Sequence, residues 1–122
     1  MTRRGHGRLL LVHVLMPPSP FVAEDVVAHP TYEDLQRRAR AAATRRLDAL
    51  LAKARGAGVR AEATLLDGLP FEEITRFARR RRADVIVIGT HGRTGVGRFV
   101  MGSVAARVLR VAPCPVLTAR GR

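Results

Sequence analysis

An α/β fold on a parallel sheet is what this sequence predicts, and three observations carry that reading. The hydrophobic period switches repeatedly along the chain between strand-like and helix-like runs, in the order β, α, β, α, β, α, β. Two of the strand-like runs, residues 8–15 (RLLLVHVL) and 83–90 (ADVIVIGT), are apolar with almost no polar alternation, as in strands covered on both faces. The second of these runs leads straight into a glycine-rich stretch and then a helix start, the order of a ligand-binding loop at the carboxyl end of a parallel strand.

The first strand is expected over 8–15 and ends at the prolines that follow Met16. Residues 16–30 are rich in proline and have no period, so they read as a loop. Thr31 with Asp34 makes a capping-box start, and Leu35, Ala39, Ala43, Leu47, Leu50, Leu51 and Ala54 then recur at helical spacing up to Gly56. Residues 59–66 alternate apolar and polar, which suits a strand near a sheet edge with one wetter face, and Asp67 and Gly68 end it. Pro70 stands at a first helical position, with Phe71, Ile74, Phe77 and Ala78 forming one apolar face ahead of an arginine run at 79–82. The β-branched run at 83–90 reads as a central parallel strand. A short helix over 102–111 follows, with Ser103 as its cap and Val104, Val108 and Val111 on one side, and residues 115–119 form a last strand.

With 122 residues the chain is read as one domain, 1–122. Hydrophobic residues at 47% allow a buried core, which excludes a disordered protein. No apolar run approaches the roughly 18 residues of a membrane span. The basic residues ahead of the first strand lack a small-residue cleavage site, and the lone Cys114 cannot form an internal disulfide, so a cytoplasmic location is expected. The net charge is +12, and its basic side consists of 21 arginines and one lysine, Lys53. Such a balance invites a nucleic-acid reading, but the charge divides evenly between the two halves of the chain. The five aromatics, Phe21, Tyr32, Phe71, Phe77 and Phe99, interleave with no basic stretch, so nucleic acid is disfavoured as a partner. The run at 79–82 reads as cations complementing a helix carboxyl end.

Residues 89–103, GTHGRTGVGRFVMGS, bear the candidate site. Glycines between a buried strand and a helix start let backbone amides approach an anion closely, and the helix head favours negative charge. Arg93 and Arg98 add positive charge, and Ser103 can both cap the helix and donate to a phosphate oxygen. A P-loop is excluded because GxxxxGK[ST] is absent, and a dinucleotide fingerprint is disfavoured because Val100 stands where it needs glycine or alanine.

The spacing Gly89-x2-Gly92, nine residues, then Gly102-Ser103 resembles the G-x2-G-x9-G-[ST] ATP-binding signature of universal stress protein domains, and it matches at every fixed position. The LLLVHVL strand, the GLPFEEI helix start, ADVIVIGTHGRTG and GSVAARVLRVAPCPVL follow in the same order as in that family, so the resemblance covers nearly the whole chain. It implies a parallel-sheet sandwich of the universal stress protein (adenine nucleotide alpha hydrolase-like) type, with four strands and three helices here. It also implies that Gly89, Gly92, Gly102 and Ser103 hold ribose and phosphates of ATP, that Val104 offers a backbone amide, that Arg93 contacts a phosphate, and that Ile88 and Val14 border the adenine. Magnesium would arrive with the ATP, held through its phosphates. The family's dimers imply a homodimer through the last strand, residues 116–119.

One departure stands out. The family's opening strand, which ends in an apolar-Asp-Gly-Ser type segment, and its first helix have no counterpart here; residues 1–7 resemble the tail of that helix. The domain is therefore expected to be N-terminally truncated, with the family's central first strand missing: the coding start lies further upstream, the four strands close up, or another chain fills the gap, the first being favoured. For the 122-residue form itself, ATP affinity is expected to fall well below that of a complete domain. His13 reads as a core or sheet-end histidine, and no pair among the histidines has metal-ligand spacing. Nor does a catalytic constellation accompany the loop. The expected function is a stress-response regulator or switch that binds ATP and is not an enzyme beyond slow hydrolysis. The competing expectation is a dimeric interaction scaffold that no longer binds nucleotide.

Overall fold

A computed structural model describes residues 7–16, 31–89 and 103–119. Its elements run β1 (Leu9–Leu15), α1 (Tyr32–Gly56), β2 (Ala61–Asp67), α2 (Pro70–Arg80), β3 (Ile86–Gly89), α3 (Ser103–Val111) and β4 (Val116–Ala119). The expected alternation of strands and helices is present, and each strand pair is parallel: β1 with β2, and β3 with β4. By internal contacts the chain divides into two compact units, Met1–Leu69 and Pro70–Arg122.

In the first unit, Leu9 lies opposite Ala61 and Leu15 opposite Asp67, and α1 packs on both strands. Thr31 caps α1: its hydroxyl oxygen accepts from the Asp34 amide at 3.2 Å. In return, hydrogen bonds from Thr31, its hydroxyl before its backbone amide, hold the Asp34 carboxyl below its ordinary range. Ala43 and Leu47 are the buried residues of α1. The helix ends at Gly56 as expected, and its closing hydrogen bonds involve the residues that follow. The Val59 amide donates to the Ala54 carbonyl and the Gly58 amide to the Arg55 carbonyl, both at 3.0 Å, with Gly58 at φ +83°. This paired closure needs a left-handed residue, which glycine supplies without a steric penalty. It also consumes the Val59 amide, which is why β2 starts at Ala61 and not at residue 59. The Arg55 guanidinium reaches back to the Ala61 carbonyl at 3.1 and 3.3 Å, joining the helix end to the strand start.

Two expectations about these strands are corrected. β1 was read as buried on both faces, yet its residues are half-buried and His13 is exposed. β2 was read as having one wetter face, but Ala61 to Leu66 are all half-buried and only Asp67 is exposed. Among the described residues one helix packs against the pair, which leaves the strands half-buried instead of separated into a dry face and a wet one.

In the second unit, Ala78, Ile86 and Val108 form the core, with Phe71, Ile74, Ile88, Val104, Cys114 and Val116 packed around it. The arginine run ends α2 as expected. Its closure repeats that of α1: the Ala83 amide donates to the Ala78 carbonyl at 2.9 Å and the Arg82 amide to the Arg79 carbonyl at 3.3 Å, with Arg82 in the left-handed region at φ 53°. Ala83 is thereby bound to the helix end, so β3 begins at Ile86 instead of residue 83. The expectation that β3 is a central strand is also corrected, because among the described residues it pairs with β4 alone, just as β1 pairs with β2 alone. The register partners Val87 and Leu117 remain 63% and 61% exposed on the face of this pair away from the core.

Candidate functional site

The carboxyl end of β3 and the head of α3 belong to the second unit, and the core positions both. Ile88, the next-to-last residue of β3, and Val104, the second residue of α3, pack against the same cluster around Val108, which is 0% exposed. Gly89 ends the strand opposite Ala119. Ser103, expected as the cap, is instead the first helical residue and is exposed; the residue before it, Gly102, lies outside the described residues. Gly92 and Arg93 also lie outside them. Of the predicted site residues, Ile88, Gly89, Ser103 and Val104 are therefore gathered at one strand end and helix head. Val14 belongs to the first unit, half-buried near the end of β1 and opposite Leu66.

The three helix heads differ in charge. The first turn of α1 carries Glu33 and Asp34, and that of α2 carries Glu72 and Glu73. The first turn of α3 carries no acidic residue. A helix head concentrates partial positive charge on its unpaired amides, and an anion there is stabilising. The α1 and α2 heads have carboxylates of their own, whereas the first turn of α3 supplies none. This contrast was legible in the sequence as the absence of Asp and Glu between residues 85 and 122, yet the sequence reading did not draw on it.

The sequence reading also missed the arginines fixed on aromatic rings. The Arg107 guanidinium lies 4.9 Å from the centre of the Phe71 ring and that of Arg81 5.5 Å from the Phe77 ring. The signal for the second pair was its i, i+4 spacing; the first joins two helices and has no local signal. Cys114 is half-buried and packs against the core as a small apolar side chain would. Among the described residues no group of histidine, cysteine and carboxylate side chains is placed to hold a metal ion.

The family model for the universal stress protein family matches residues 1–120. This chain belongs to the universal stress protein family. A family member from Thermus aquaticus is 39% identical over 96% of this chain and 81% of its own length. Another, universal stress protein MJ0531 of Methanocaldococcus jannaschii, is 48% identical over 52% of this chain and 37% of its own length. The matched region thus spans from about a third to about four-fifths of these relatives. Among solved structures, a universal stress protein family protein from Arabidopsis thaliana, crystallised with AMP bound, superimposes with a TM-score of 0.66 at 26% identity, covering 94% of this chain and 65% of that one. The α/β arrangement of the described residues, parallel strands with three helices, is consistent with the fold of this family.

Proposed function

We propose that the chain binds an adenine nucleotide, ATP foremost, at the end of β3 and the head of α3, and works as a stress-response regulator whose state follows nucleotide occupancy. The observation that carries this reading is the head of α3: a first turn without carboxylates, set by the core beside the end of a parallel strand, at the two ends of a glycine-rich segment. The relative crystallised with AMP bound supports the same ligand class. The residues fit a phosphate chemically. Ser103 and Val104 stand in the first helical turn, where backbone amides lack helical partners, and the Ser103 side chain is exposed.

In the mechanism, these first-turn amides and the Ser103 hydroxyl donate to phosphate oxygens, while Gly89 lets the backbone come close to the ligand. Arg93, Gly92 and Gly102 complete the loop in this reading, Ile88 borders the base, and Mg2+ would come with the triphosphate, held through its phosphates. In this reading the function is binding, with hydrolysis slow if it occurs at all. The protein acts in the cytoplasm, as a homodimer joined through β4.

The test is to heat-denature the purified protein, analyse the supernatant for adenine nucleotide, and titrate the emptied protein with ATP by calorimetry. Bound nucleotide, or heat of binding that Ser103→Ala weakens, supports the reading. No nucleotide, no heat and no thermal shift with ATP would instead favour a dimeric scaffold without a nucleotide.

A further inference from the structure

We infer that the solvent side of α2 and α3 is a docking surface for an acidic protein segment, a role separate from nucleotide binding. The two helices pack together over one core, so their outward residues belong to one continuous surface. Arg76, Arg79 and Arg80 fall on the outward side of α2, away from Phe71, Ile74 and Ala78. Arg107 and Arg110 do the same on α3, and all five are exposed. Arg76 holds Glu73 at 2.6 Å. Arg79, Arg80, Arg82 and Arg110 have no ion pair with any described residue.

A second observation concerns Arg82. It stands at φ 53°, the position that glycine fills in the matching closure of α1. Left-handed backbone costs a side-chain-bearing residue about 1 kcal/mol, and in this chain the position carries a cation. A third concerns Arg107 and Arg81, whose guanidiniums lie against Phe71 and Phe77. Stacking holds part of the array in place before any partner arrives, which lowers the ordering cost of binding.

The partner chemistry follows from the side chains. Guanidinium forks pair carboxylates with two parallel hydrogen bonds, and the chain's basic residues are arginine almost without exception. Of the rings on this face, Phe77 is buried and Phe71 lies under Arg107, so neither offers a free face for a nucleic-acid base. The patch is confined to helices of 11 and 9 residues, a span suited to a short acidic segment rather than a long polyanion.

The experiment uses the full chain and measures anisotropy of a labelled oligoglutamate peptide, with a labelled DNA duplex as the parallel probe. The triple variant Arg79→Glu, Arg80→Glu, Arg110→Glu leaves Arg76, Arg81 and Arg107 in their contacts. A control triple, Arg38→Glu, Arg45→Glu, Arg60→Glu, makes the same charge change in the first unit. The expected result is peptide affinity about tenfold or more weaker in the α2–α3 variant, with a flatter salt dependence, a cooperative unfolding transition only a few degrees lower because the charges at two helix ends are reversed, an unchanged ATP response, and near-normal binding in the control. Equal loss in both variants, no loss in the first, no peptide binding by the parent chain, or a duplex bound as tightly as the peptide would each overturn the inference. The unchanged ATP response keeps this outcome separate from that of the nucleotide reading.

Discussion

In the unit Met1–Leu69, a helix of 25 residues lies along two seven-residue strands and buries Ala43 and Leu47. In Pro70–Arg122, helices of 11 and 9 residues over two four-residue strands bury Phe77, Ala78, Ala105, Val108 and Ile86. The shorter elements make the drier core. Two helices close on the same strands and shut water out between them, whereas a single helix leaves solvent along both its flanks. The helix ends repeat the lesson in another form. The same pair of hydrogen bonds closes α1 on Gly58 and α2 on Arg82, so closure is imposed by the chain that follows even where the residue does not favour it.

The sharpest test of this contrast is truncation of each core. Val108→Ala should cost about 2–3 kcal/mol, because it empties space in a fully enclosed site. Leu47→Ala removes more atoms yet should cost no more than about 2 kcal/mol, because its surroundings are open enough to relax. Denaturant unfolding of the two variants decides between them, and a clearly larger loss for Leu47→Ala would break the comparison. Exchanging the closures comes next. Gly58→Arg should destabilise the protein by about 1 kcal/mol and Arg82→Gly should stabilise it by up to about 1 kcal/mol, read as opposite shifts in melting temperature. Removing the cap of α1 with Thr31→Ala should cost about 1 kcal/mol and fray the first turn, visible as faster amide exchange at Asp34 and Leu35.

The smallest effect is the pH dependence of that same cap. The Asp34 carboxyl is held below its ordinary value of 3.8 by Thr31, so its contribution is fully present above that value and is lost as pH falls through the lower folded value. The cost of Thr31→Ala should therefore shrink as the solution is acidified below 3.8, while Arg82→Gly, which involves no titrating group in that range, should keep its effect. A Thr31→Ala cost independent of pH would separate the cap from the carboxylate.

Much of this molecule was legible in its sequence, for identifiable reasons. The order of elements followed from hydrophobic period, the head of α1 from Thr31 and Asp34, and the start of α2 from Pro70, because each signal acts within a turn or two of chain. The helix stop at Gly56 was legible, but the strand starts at residues 59 and 83 were misplaced because closure of a helix draws in amides beyond the last periodic residue, here Val59 and Ala83. The expected central position of β3 rested on apolar composition, which registers burial but not how many neighbours a strand has. At the candidate site, Gly89 and Ser103 could be named from the glycine spacing and Ile88 and Val104 from the family resemblance, whereas the packing of Ile88 and Val104 on one core could not.

Local order, helix caps, charge balance and the glycine spacing were determined by the sequence alone, since each depends on residues a few positions apart. Which faces stayed wet, which strand lay beside which, and the placing of Arg107 over Phe71 were decided only in the tertiary structure. These depend on how many helices converge on a strand pair, a property of packing between distant segments that no local pattern carries.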